Sequence, residues 1–91
     1  MTKESFYRFR LYIVGSGSAG KRAVANFQKV AEIVYGYHVD LEVVDVQENP
    51  ALLEEDRILA VPTLVRLSPA PVRRIVGDLT NEHTLQDFLG G

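Results

Sequence analysis

The sequence contains no cysteine. That absence removes a disulfide framework, a thiol nucleophile and every cysteine-ligated zinc site. Histidine is almost as scarce, since His38 and His83 stand far apart and form no cluster with metal-ligand spacing. No apolar run approaches the ~18 residues of a membrane span, and no basic-then-apolar leader opens the chain, so a cytoplasmic location without membrane contact is expected. Charge of one sign is also lacking in bulk. Lys+Arg 10 against Asp+Glu 12 leaves a formal net charge of −2, with no general pull toward nucleic acid. The 91 residues are read as one domain, 1–91, which buries roughly 60–65 % of its unfolded surface and has little stability to spare. What remains is a small single-domain protein expected to work by shape, with no catalytic residue, no metal and no cofactor.

What is present is ordered punctuation. Phe6 to Val14 reads as a strand, because Arg8, Arg10 and Tyr12 alternate with Phe9, Leu11 and Ile13. Gly15-Ser16-Gly17-Ser18 breaks it. From Ser18, taken as N-cap, to Tyr35 the apolar residues Val24, Phe27, Ala31 and Val34 recur at helical spacing, and Gly36 is placed to end the helix. Val39 to Val46 is a second strand whose Val43-Val44 step suggests burial on both faces. Asn49-Pro50 opens a short helix toward Leu59. Thr63–Leu67 and Val72–Val76, joined by Ser68-Pro69-Ala70-Pro71, form an antiparallel hairpin. Thr80 caps a last helix to Leu89, with Glu82 in its first turn and Leu85, Phe88 and Leu89 along one edge. A right-handed βαβ unit followed by a hairpin and a covering helix is the thioredoxin arrangement, βαβαββα, with a mixed four-stranded sheet and helices on both faces. Val61-Pro62-Thr63 fits it, since such folds carry a proline, normally cis, just before the third strand.

Few motifs could carry chemistry. Gly15, Gly17 and Gly20 spell G-x-G-x-x-G after a strand, with Asp40 twenty residues beyond, the outline of a dinucleotide site. Gly15 to Lys21 also matches the first seven positions of a P-loop, but the eighth must bring a hydroxyl to magnesium and is Arg22. Both sites belong to larger sheets, so a flexible turn into a helix is the preferred reading. Where a thioredoxin has its redox dithiol stand Ser16, Gly17 and Ser18, which excludes thiol redox catalysis. Asp45 is read as a strand-end carboxylate in solvent, Glu54-Glu55-Asp56 as a solvated helix face and His83 as a surface residue; Ser18, His38 and Asp45 have no spacing that supports a triad. More informative are Arg22, Arg57, Arg66, Arg73 and Arg74, which fall at a helix start, a helix end and the hairpin. Several could share one side as a docking patch for an acidic protein surface, because guanidinium forks bind carboxylates at two points.

The longer strings are specific. Leu11-Tyr12-Ile13-Val14-Gly15, Val43-Val44-Asp45-Val46 with Asn49-Pro50, Glu54-Glu55-Asp56-Arg57-Ile58-Leu59-Ala60-Val61-Pro62-Thr63-Leu64 and Pro71-Val72-Arg73-Arg74-Ile75-Val76-Gly77-Asp78-Leu79 resemble the KaiB family of circadian-clock proteins, without an evident gap from Tyr7 to Leu79. The sensor domain of the kinase SasA shares the fold but lacks the last string. The resemblance implies a non-enzymatic regulator that docks on the ATPase ring of KaiC, with KaiA as a further partner. It also implies a fold-switching family, in which a tetrameric ground state converts to a monomeric thioredoxin-like state that binds KaiC. Carried over by position, Arg22, Arg57, Arg66, Arg73 and Arg74 mark partner surfaces, and Pro62, Pro71 and Gly77 are structural.

Departures from the family pattern mark a divergent copy. Pro69-Ala70-Pro71 stands where three prolines are usual, the sequence ends at Gly91 short of an acidic tail, and Thr80 to Leu89 is more polar than is typical. With the helical spacing of that last segment, they lead to the expectation of a chain that is mainly monomeric and thioredoxin-like. An adaptor with the same fold but acting outside a clock is the alternative, and a nucleotide-binding fragment using Gly15 to Lys21 is the enzyme-class reading.

Overall fold

The computed structural model describes residues 6–15, 17–36, 39–77 and 79–90. Its elements are β1 (Arg8–Ile13), α1 (Ser18–Tyr35), β2 (Asp40–Asp45), α2 (Pro50–Glu55), β3 (Thr63–Ser68), β4 (Arg73–Val76) and α3 (Glu82–Gly90). The strands form one sheet in the order β2-β1-β3-β4. β1 and β2 are parallel, while β3 runs antiparallel to both β1 and β4. This is the expected mixed thioredoxin-like sheet. Among the described residues no helix is long and apolar enough to cross a membrane.

Strand alternation sorts the core into two layers. Phe9 and Leu11 of β1 and Leu64 of β3 pack under α1 and α3, against Phe27, Val30, Leu85 and Leu89. The intervening residues Tyr12 and Val65, with Val44 of β2, face the other way and meet Ile58 and the α2 residues Leu52 and Leu53. β2 departs from the expectation of burial on both faces. It is an outer strand, so Val44 is buried while Val43 is exposed.

The helix ends also differ in detail. Gly17 is the N-cap of α1, with Ser18 already helical. Asn81 rather than Thr80 caps α3, its Oδ1 accepting the Thr84 N–H at 3.1 Å. Gly36 closes α1 as expected, at φ 77, donating its N–H to the Glu32 carbonyl at 2.9 Å; a side chain is disfavoured there. α2 stops at Glu55, short of Leu59, where Arg57 turns into the left-handed region at φ 53 and the Ile58 N–H returns to the Leu53 carbonyl. Pro62 follows a cis bond, as do Pro69 and Pro71.

Candidate partner-binding surface

The glycine loop lies on the turn from β1 into α1. The Gly15 N–H donates to Asp45 Oδ1 at 3.0 Å, and the same oxygen accepts the Gln47 N–H at 3.0 Å. A phosphate cradled by this loop needs that N–H, and it would meet a carboxylate's charge instead. Asp45 is therefore not a free strand-end carboxylate; it fastens β2 to the loop. The recess beside it, about 390 Å³, is lined mainly by Ile13, Val24, Val43 and Gly20, with Lys21 at its edge. A smaller one of about 210 Å³ sits between Val14, Ala19, Val61 and Pro62, which brings the proline beside the first loop as the fold requires. Of the three residues considered as a triad, Asp45 is occupied in this way, Ser18 is exposed and His38 lies outside the described residues, as does Ser16. His83 is a surface residue, 3.5 Å from Asp87 one turn along.

The polar group that alternation did not reveal lies on the α2 face. Tyr12, which strand alternation placed with the arginines, is fully buried. Its hydroxyl donates to Asp56 and lies 3.3 Å from the Leu52 carbonyl. Arg10 joins the same carboxylate at 3.0 Å and Glu42 at 2.8 Å. Asp56 thus leaves the solvated acidic run expected for it and ties the end of α2 to β1 and, through Arg10, to β2. Burial and the bond to Asp56 push the Tyr12 hydroxyl up to about 12. For Arg10, burial acts to lower the pKa, but its bonds to Glu42, Tyr12 and Asp56 outweigh that and hold the group above its ordinary value. The arrangement is structural support for the segment that follows, Arg57 to Pro62.

The arginines divide between the two faces. Arg66 and Arg73 are register partners on β3 and β4. They share the α3 face, where Arg73 Cζ sits 5.6 Å from the Phe88 ring centroid. Arg74 points to the opposite face, and its Nη1 donates to the Arg57 carbonyl at 3.1 Å. Arg22 is exposed on α1, one turn before Asn26, whose side chain donates to the Leu79 carbonyl at 3.4 Å, so it lies on the flank toward the loop after β4. Four of the five are thus gathered at the β4 edge as two pairs on opposite faces, and Arg22 stands apart on α1. Beside the Arg57–Arg74 pair, Leu59 is 98 % exposed, and Val76 is exposed on the edge strand. These two apolar residues were not singled out in the sequence, where three leucines within eight residues, Leu52, Leu53 and Leu59, gave no means of telling the half-buried from the bare. Of the residues expected to be structural, Pro62 accepts the Gly77 N–H at 3.1 Å and Pro71 accepts Arg66 Nη2 at 3.3 Å. Gly77 holds φ 116, a conformation that side chains rarely adopt.

Comparison with known proteins agrees with this fold. The KaiB domain model matches residues 10–90. The circadian clock oscillator protein KaiB of Synechococcus elongatus is 41% identical over 81 residues, covering 89% of this chain and 79% of that protein. The KaiB of Thermosynechococcus vestitus is 44% identical over 75 residues, covering 82% of this chain and 69% of that protein. Among solved structures, the N-terminal domain of Synechococcus elongatus SasA superposes with a TM-score of 0.79 at 20% identity, covering 98% of this chain and 84% of that one. Mitochondrial thioredoxin 3 of Saccharomyces cerevisiae gives 0.71 at 19%, covering 96% and 79%; at such identities the likeness is one of fold. A domain match across nearly the whole chain, relatives above 40% identity and a thioredoxin-like sheet lead to one conclusion: the chain belongs to the KaiB family of circadian clock proteins.

Proposed function

We propose that the protein is a non-enzymatic, clock-type regulator that binds a KaiC-like ATPase ring in its thioredoxin-like state and modulates the ring's phosphorylation cycle, with KaiA as a further partner. The observation that carries the proposal is electrostatic. Arg10 and Lys29 are paired with carboxylates, whereas among the described residues no ion pair holds Arg22, Arg57, Arg66, Arg73 or Arg74, nor Arg8 or Lys21, and of these seven it is Arg57, Arg66, Arg73 and Arg74 that gather at the hairpin edge. In a chain of net charge −2, the exposed Arg57, Arg73 and Arg74, with the buried Arg66 beside Arg73, put unpaired guanidinium groups on both faces of one sheet edge and suit an acidic partner. Leu59 and Val76 add apolar area to that edge.

Reversing both charges, Arg73→Glu with Arg74→Glu, removes cations and puts acid against acid. Loss of one side of a desolvated charge pair costs about 2–5 kcal/mol, so affinity for a KaiC-type ring should fall by at least ~30-fold. Unchanged retention on the ring in a pull-down refutes the arginine surface. The same reading takes the free chain to be mainly monomeric. The last segment is supported as a helix by the Asn81 cap and by buried Leu85, Phe88 and Leu89, which gives the binding-competent form without a rare-state penalty. Sedimentation at the mass of a tetramer, with strand-type chemical shifts across residues 84–89, contradicts it.

A further inference from the structure

Arg66 is the anomaly of the β-hairpin. Its side chain belongs to a residue only 7 % exposed, and its Nε is buried without a hydrogen-bond partner. Nη2 reaches only the Pro71 carbonyl, at a long 3.3 Å. Arg73 stands directly across the ladder from it, so two cationic side chains leave adjacent strands on one face. Like charges placed so are destabilising, and a buried donor left unmade costs further. Of the acids of α3, Glu82 is paired with Lys29 at 2.8 Å and Asp87 lies 3.5 Å from His83. Among the described residues no carboxylate pairs with either arginine.

We propose that Arg66 and Arg73 form a receptor for a single oxyanion, a phosphate or carboxylate group, held between the two guanidinium groups on the α3 side of the hairpin. An oxyanion there relieves the repulsion and accepts from guanidinium N–H groups that no carboxylate among the described residues holds; guanidinium forks match its geometry. Phe88, under Arg73, restricts where that fork points. A carboxylate occupant rests on the ring-binding reading and names what two of its arginines recognise. A free phosphate stands apart from it.

The test uses the full chain and two probes, sodium phosphate and sodium acetate, each against sodium chloride at matched ionic strength. The arginine Nε–Hε resonances and the Tm are followed. Saturable shifts of Arg66 and Arg73 are expected. Probe at about four to five times its Kd should raise Tm by about 4–8 °C. Phosphate stabilises folded proteins by exclusion as well. The specific part is therefore what Arg73→Gln loses and the equal-charge control Arg8→Gln keeps. Arg73 is exposed, so its substitution keeps the test sound even if the buried Arg66→Met does not fold. Saturation by phosphate alone assigns a free phosphate group, and saturation by acetate assigns the carboxylate of a partner. No saturation by either probe, or an undiminished response in Arg73→Gln, overturns the site. Because neither probe involves the ring, this failure is distinct from a failure of ring binding.

Discussion

The two faces of the sheet are built on different principles. Under α1 and α3 the contacts are apolar and large: Phe9, Leu11, Phe27, Leu64, Leu85 and Leu89 are all buried, with Phe9 and Phe27 edge to face at 5.0 Å. Under α2 the apolar cluster is small, and no residue of the helix itself is buried. That six-residue helix is held by hydrogen bonds from Tyr12 and Arg10 to Asp56, the residue at its C-terminal end. An element with so little buried area sits at the low-stability end of the molecule, the end from which moving and binding segments are drawn. Arg57 and Leu59, which carry part of the proposed partner surface, follow directly from it. One face supplies the fold's stability; the other presents a segment whose position depends on a few polar bonds.

Truncation on each face tests this division most strongly. Phe27→Ala removes a buried aromatic ring, and about 3–5 kcal/mol of stability should go with it. Leu52→Ala, on the half-buried side of α2, should cost about 1–2 kcal/mol by the area involved. Urea unfolding followed by circular dichroism measures both midpoints. Equal losses would mean that α2 is anchored by packing after all.

High pH probes the polar face through Tyr12. The Tyr12 hydroxyl lies at about 12 in the folded chain against 10.0 for the free group, so the native state holds this proton more tightly than the unfolded state does. The stability it contributes is complete below pH ~10 and is lost as pH rises through ~12, amounting to about 2–3 kcal/mol across that window. Tyr12→Phe should flatten this part of the profile, at a cost near neutral pH of about 1 kcal/mol for the missing hydrogen bond and the acceptor left behind. A wild-type profile that is already flat from pH 10 to 12, apart from the chain's other tyrosines, contradicts the assignment.

The same contrast separates what was legible in the sequence from what was not. Element spans follow from periodicity, and the end of α1 was read to the residue because Gly36 must take φ > 0 where the stripe ends. The caps slipped by one position at Ser18 and Thr80, since several small polar residues compete at each helix start and only the local turn selects among them. Tyr12 and Asp56 were misplaced for a deeper reason. Alternation reports polarity along one strand, whereas their bond joins residues 44 positions apart, and a tyrosine reads as polar or apolar according to whether a partner waits for its hydroxyl. The division of the arginines was available: consecutive Arg73 and Arg74 on a strand must point to opposite faces. What the pattern could not supply was the burial of Arg66, whose side chain turns to the Pro71 carbonyl in the hairpin loop.

The smallest effect concerns two ion pairs of nearly equal length. Lys29–Glu82 spans 2.8 Å with side chains 59% and 50% exposed, and Arg10–Asp56 spans 3.0 Å with 20% and 24% exposed. Distance alone would rank the first as the stronger. Solvent reverses the order, because water and salt screen the exposed pair and both long side chains must be ordered to form it. A double-mutant cycle with Lys29→Met and Glu82→Gln should therefore return a coupling of about 0.2–1 kcal/mol, shrinking further as salt is raised toward 1 M, where the screening length is only about 3 Å. The Arg10–Asp56 coupling, shielded by α2 and shared with Tyr12, should exceed it and change less with salt. A Lys29–Glu82 coupling that matches Arg10–Asp56 and persists at high salt would show that α3 is held to α1 by charge as much as α2 is held to β1, and the two faces would no longer differ in kind.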